Sequence, residues 1–169
     1  MPHPLADTNL FKPIKVGNVT LKNRLAFAPT TRNRNTTEWV ATDSMEKYYT
    51  QRAENNGGLL IVEATSPSPA FGFYPNTPMI DTPQQVAAWK KIVDSVHSKG
   101  SYISLQLWHL GRAAAPGLLK QHGVDFVGPS AVYIDDASKK AAEAAGNPLR
   151  AMTVDEIHAT VKSWAAAAK

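Results

Sequence analysis

Gln106, Trp108, His109 and Arg112 stand together at the carboxyl end of an alternating run from Ser101 to Leu107 that reads as a strand. An amide, an indole, an imidazole and a guanidinium so placed can hydrogen-bond, stack on and polarise a ligand. In parallel α/β sheets and barrels the carboxyl ends of strands are where ligands and catalytic groups sit. Two other strand-like runs end in comparable groups. Leu25–Ala28 is broken by Pro29, leaving the hydroxyls of Thr30 and Thr31 at its end, and Leu59–Val62 runs into Glu63, Ala64, Thr65 and Ser66. Set side by side, these ends offer neutral donors and acceptors and one small residue, Ala64, past which a ligand can approach the backbone. That set suits the polar edge of a flat heteroaromatic ligand.

Several other chemistries are excluded. No His and carboxylate pairs fall at metal-ligand spacing. There is no Gly-x-Gly-x-x-Gly, no Walker loop and no Gly-x-Ser-x-Gly elbow. Cysteine is absent, which removes disulfides and thiolate metal sites. The formal charge of +4 is spread along 169 residues with no dense basic tract, so nucleic-acid binding is not expected. Arg24, Arg32 and Arg34 could attract a phosphate-bearing ligand, although a solvated face is the ordinary reading. No apolar run approaches the ~20 residues that span a bilayer. The first residues lack both a basic n-region and an apolar core, so a secretory signal is not expected and the cytoplasm is the expected setting.

The elements that must position these groups follow in order. Phe11–Val16 and Val19–Leu21 flank Gly17-Asn18 and predict a hairpin within residues 8–22. A helix is expected from about Thr42 to Asn55, with Asp43 and Glu46 as a capping box and Asn55-Asn56-Gly57-Gly58 as its stop. Tyr48 and Tyr49 on that helix read as core. Leu59–Val62 is apolar throughout, as in a strand covered on both faces. A second helix opens at Thr82-Pro83-Gln84-Gln85, with Val86, Trp89, Val93 and Val96 as its apolar stripe and Gly100 at its end. His97 beside that stripe reads as packed or surface, not as a ligand. Residues 113–150, rich in Ala, Gly and Pro, read as a long excursion loop without a compact element. Thr153 and Glu156 then cap a closing helix over 153–169, with Ile157, Val161 and Trp164 on one face.

The alternation over 25–112, strand–helix–strand–helix–strand, implies a parallel sheet with crossovers. A (β/α)8 barrel needs upwards of ~200 residues. The expected fold is therefore α/β: the N-terminal part of a TIM barrel, preceded by a β-hairpin and incomplete in this chain. The closing helix reaches Lys169 with no stop signal, as if cut.

The ordered motifs Leu10-Phe11-Lys12-Pro13-Ile14, Ala28-Pro29-Thr30-Thr31-Arg32, Tyr48-Tyr49-x-Gln51-Arg52-Ala53, Glu63-Ala64-Thr65 and Gln106-Leu107-Trp108-His109-x-Gly111-Arg112 closely resemble the old yellow enzymes, FMN-dependent ene-reductases. The segment Leu149-Arg150-Ala151-Met152-Thr153-x-Asp155-Glu156-Ile157 resembles them too, and the fungal and yeast branch is the nearest in pattern. The resemblance implies FMN as cofactor, NADPH or NADH as hydride donor, and an enone or enal substrate. It implies that Thr31, with the backbone at Pro29 and Thr30, meets the flavin near N5 and O4. Ala64 would present its N–H to the same edge, and Gln106 would bind the pyrimidine edge. Trp108 would line the substrate pocket, with Tyr74 beside it. The carbonyl-binding pair and the proton-donor tyrosine of that family have no counterpart here, and neither His109 nor His122 matches the pair.

Three expectations follow. The chain is the opening part of a split, cleaved or permuted reductase completed by a C-terminal barrel fragment, with a homodimer of the assembled barrel as a further expectation. Alternatively it is a truncated, inactive product, or a flavin-free interaction module. Retention of Thr31, Gln106 and Trp108 together argues against the last, and the helix reaching Lys169 without a stop signal favours the first.

Overall fold

A computed structural model describes Leu5, residues 7–54 and residues 57–169. Strands β1 (Ile14–Val16) and β2 (Val19–Leu21) form the hairpin, with Ile14 opposite Leu21 and Gly17 at φ +57° in its turn. A left-handed residue there suits glycine, which has no Cβ to clash.

Strands β3 (Ala26–Phe27), β4 (Leu59–Thr65) and β5 (Tyr102–Leu107) form one parallel sheet in that spatial order. Helix α1 (Asp43–Ala53) connects the first pair and helix α2 (Pro83–Ser98) the second. The core lies between the sheet and these helices. Met45, Tyr49 and Ala53 of α1 and Trp89, Ile92 and Val96 of α2 close over Leu60 and Val62. Each large apolar side chain buried there is worth about 1.5–3 kcal/mol. On β5 the alternation is plain: Ile103 and Leu105 face the helices, whereas Ser104 and Gln106 are exposed. The sheet is open, with three strands of a barrel that would need eight.

Helix α2 begins as its sequence demands. Thr82 Oγ1 accepts the Gln85 N–H, and Gln85 Oε1 accepts the Thr82 N–H at 3.1 Å. Its buried stripe is Gln85, Trp89, Ile92 and Val96, while Val86 is exposed. The expected Asp43/Glu46 box on α1 does not form. Thr42 is the N-cap, its hydroxyl donates to the Arg34 carbonyl, and Asp43 and Glu46 both pair with Lys91 of α2. A cross-helix cation offers the carboxylates a better partner than the helix end does. The Asn55-Asn56 portion of the expected stop lies outside the described residues.

Residues 113–150 form a layer of their own, contrary to the excursion loop expected. Helix α3 (Pro116–Gln121), strand β6 (Val127–Gly128), helix α4 (Asp136–Ala144) and strand β7 (Arg150–Ala151) enclose a second core. Phe73, Met79, Ala114, Leu119, Phe126, Ala142 and Leu149 make it up. Strand β6 pairs in parallel with β7. Asn147 ties the layer together: its Oδ1 accepts the Phe126 N–H at 3.1 Å, and its Nδ2 donates to the Pro116 and Val124 carbonyls at 3.1 and 3.0 Å.

Helix α5 (Val154–Ala167) carries the Thr153/Glu156 capping box as expected. Its apolar face differs from expectation: Ile157 and Val161 are exposed, and only Trp164 turns inward, ring to ring with Phe71 at 6.0 Å. No described helix is long and apolar enough to cross a membrane.

Candidate functional site

The three carboxyl ends converge because β3, β4 and β5 are parallel neighbours. Along β4 and β5 the register begins with Leu59 opposite Tyr102 and Ile61 opposite Ser104, then shifts so that Ala64 lies opposite Gln106. The extra residue in β4 is a β-bulge, a device that re-aims side chains near the ends of strands. Because of it Glu63 turns towards α1, on the side of Leu60 and Val62, where its carboxylate meets Tyr49.

Glu63 is buried, and burial pushes its carboxyl above the ordinary carboxylate value. Its Oε1 accepts the Tyr49 O–H at 3.2 Å and its Oε2 accepts the Arg32 N–H at 2.9 Å. Tyr49 Oη in turn accepts the Glu63 N–H at 3.2 Å, and desolvation drives the phenol well above its usual value. Pro29, Thr30 and Thr31 sit on the segment so held. That segment has a second tether further on, where Asn35 Nδ2 donates to the Asn76 carbonyl at 3.2 Å and Asn76 Nδ2 returns a bond to the Asn35 carbonyl at 2.8 Å. Glu63 and Tyr49 stand within the ordered motifs, but their mutual contact has no signal in the sequence, and Asn35 and Asn76 have none at all.

Thr31 and Gln106 are exposed, and neither side chain has a hydrogen-bond partner among the described residues. Trp108 lies just beyond β5, with its backbone N–H on the Thr65 carbonyl at 3.2 Å. Its indole Nε1 is buried with no partner among the described residues. Tyr74 stands beside it, rings 6.1 Å apart, and donates its hydroxyl to the Ala113 carbonyl at 2.8 Å. Buried polar groups are normally satisfied, so an orphaned donor at strand ends points to a missing partner. Amide, hydroxyl and indole donors without partners fit a planar, polar-edged group such as a flavin.

His109 and His122 are engaged in other contacts. His109 Nδ1 accepts the Gly111 N–H at 2.8 Å, its ring meets Phe71 edge-on, and burial lowers its pKa. His122 packs edge-on against Trp39 and Phe73. Arg32 and Arg34 are exposed and line, with Tyr48 and Glu63, a small cavity of about 130 Å³. No group of three or more metal-ligating side chains occurs among the described residues.

The model of the NADH:flavin oxidoreductase / NADH oxidase family matches residues 9–169. A probable NADPH dehydrogenase of Candida albicans is 46% identical over 154 residues, covering 91% of this chain and 38% of the relative. The crystal structure of an old yellow enzyme from a Pichia species superposes with a TM-score of 0.96 at 66% identity, covering 98% of this chain and 43% of that one. Morphinone reductase in complex with tetrahydroNAD matches with a TM-score of 0.79 at 37% identity, covering 94% and 45%. This chain thus spans less than half the length of these relatives.

Proposed function

This chain belongs to the NADH:flavin oxidoreductase / NADH oxidase family, and from that premise we propose that it forms the first part of the FMN site of an old-yellow-enzyme-type NADPH dehydrogenase. The pairing of Ala64 with Gln106, the bond from the Arg32 N–H next to Thr31 to the Glu63 carboxyl next to Ala64, and the unpartnered side chains of Thr31 and Gln106 support this reading. The chemistry supplied by a bound FMN is hydride transfer, from NADPH or NADH to the activated C=C of an α,β-unsaturated carbonyl compound.

The residues of this chain bind and orient. Thr31, beside Pro29 and Thr30, offers a hydroxyl to one edge of the ring. Ala64 allows close backbone approach and offers its N–H to the same edge. Gln106 binds the pyrimidine edge through its amide. Preplaced neutral donors at these points stabilise negative charge gained on reduction without later reorganisation. Trp108 and Tyr74 form one wall of the substrate pocket and help to exclude water. No residue here is assigned proton delivery or grip on the substrate carbonyl; those tasks fall to the remaining barrel strands. Activity belongs to the assembled barrel, whether its other strands come from the same polypeptide or a complementary fragment.

Native mass spectrometry with an enone-dependent NADPH oxidation assay tests this. The barrel containing this chain should carry one FMN and oxidise NADPH when an enone is present. A purified barrel that holds no flavin, or that oxidises NADPH without reducing the enone C=C, would sink the proposal.

A further inference from the structure

Glu63 is the only charged side chain among the buried residues described, with 1% of its surface exposed. A buried carboxylate is costly and persists where its hydrogen bonds are needed. Its bonds run to two different elements, Tyr49 of α1 and the backbone of Arg32 in the segment after β3. Glu63 is also the residue before Ala64, at the bulge that sets Ala64 opposite Gln106. Thr31 is the residue before Arg32. One carboxylate therefore grips the chain immediately beside both Thr31 and Ala64.

We infer that Glu63 is a positioning residue for the flavin edge, holding Thr31 and Ala64 in one fixed relation by bridging β4 to the segment after β3. This rests on the FMN reading given above. The groups that face its carboxylate are few. Tyr49 and the Arg32 N–H donate to it, the Asn33 N–H also faces it, the Arg32 guanidinium attracts it, and Arg34 lines the same small cavity. Glu63 touches neither the ring nor the substrate; it acts through the two residues that do.

The test uses the assembled, FMN-loaded barrel containing this chain. FMN dissociation constants and thermal stability are measured for wild type, E63A, E63Q and Y49F. In E63A the Arg32 N–H loses its acceptor, and the FMN dissociation constant should rise about tenfold or more. In E63Q the amide oxygen can accept the Arg32 N–H while the NH₂ donates to Tyr49 Oη. Affinity should then return to within about threefold of wild type, because the bridge to the Arg32 N–H is kept. Y49F removes the contact to α1 and keeps the contact to Arg32. It should lower thermal stability yet bind FMN within about threefold of wild type. Equal FMN affinity in E63A and wild type would overturn the role, as would Y49F weakening FMN as much as E63A does. Should E63A fail to fold, an E63Q barrel that folds yet binds FMN about tenfold more weakly than wild type overturns it, since the bridge to the Arg32 N–H is intact there. Wild-type barrel that binds no FMN overturns the flavin reading, and the role of Glu63 with it.

Discussion

Ala64 lies opposite Gln106 across the β4–β5 ladder, although the register set by Ile61 and Ser104 further back would have placed Glu63 there. The bulge that makes the difference separates two duties that regular pairing would have confused. It sends the acid towards the helix layer and leaves the small residue and the amide at the open strand ends.

Gln106→Ala tests the amide half of that arrangement. The side chain is exposed and has no partner among the described residues, so its removal should change stability by no more than about 0.5 kcal/mol. FMN affinity of the assembled barrel should nonetheless fall about tenfold, the worth of one or two hydrogen bonds. Fluorescence titration beside a urea melt separates the two. A melt shifted by several kcal/mol with unaltered FMN affinity would make Gln106 structural instead.

The strand ends and the two capping boxes at Thr82 and Thr153 were legible because each depends on residues within a few positions of one another. The bulge at Glu63 was not, since register is decided by a partner strand some forty residues away, about the length of one βα unit. The false box at Asp43 failed for a related reason. Thr42 found the Arg34 carbonyl and the carboxylates found Lys91, none of which local spacing reveals. The layer over 113–150 hid behind its composition. Pro116 opens one short helix here and Gly123 and Gly146 follow the ends of two, and the compactness comes from Asn147 bonding to Pro116, Val124 and Phe126.

Asn147→Asp should therefore destabilise the second core. The carboxylate can still accept the Phe126 N–H, but it turns an acceptor towards the Pro116 and Val124 carbonyls that now receive two donations. Losing both and burying a charge should cost about 3 kcal/mol. Hydrogen exchange should show protection lost first at Phe126 and Val124. A variant as stable as wild type would mean that those carbonyls find other donors.

Glu156 gives a pH dependence of definite sign. Its carboxyl is pulled from 4.5 down to about 2, first by Arg150 and then by the Thr153 N–H. Arg150 donates to it through Nη1 at 2.9 Å and Nη2 at 2.7 Å, and also pairs with Asp125. A carboxyl whose folded pKa is depressed adds stability above its unfolded pKa and loses it as pH falls through the folded one. Wild type should thus lose stability relative to Glu156→Gln as pH drops from about 5 to about 2. The group is solvent-exposed, so the difference should be small and should shrink in high salt. Melting curves at several pH values measure it; parallel curves for the two proteins would deny the pairing any role in stability.

Gly72 and Gly123 both have positive φ, at +82° and +69°, but only one of them is crowded. A Cβ on Gly72 would come within 2.9 Å of Leu110 Cβ, whereas one on Gly123 meets nothing within 4 Å. Gly123→Ala should therefore cost only the left-handed backbone strain, about 1 kcal/mol. Gly72→Ala adds the steric clash and should cost about 2–4 kcal/mol. The second loss would also reach the site. Leu110 donates its N–H to the Phe71 carbonyl at 2.8 Å, so pushing Leu110 away strains the turn that follows Trp108. Urea melts of both variants give, as the difference between them, the clash together with the strain of Gly72's φ +82°, ψ 156°, a region essentially restricted to glycine. Hydrogen exchange at Leu110 should accelerate in Gly72→Ala alone. Equal losses in the two variants would show that Leu110 yields freely, and that the turn beyond Trp108 is held by something other than this contact.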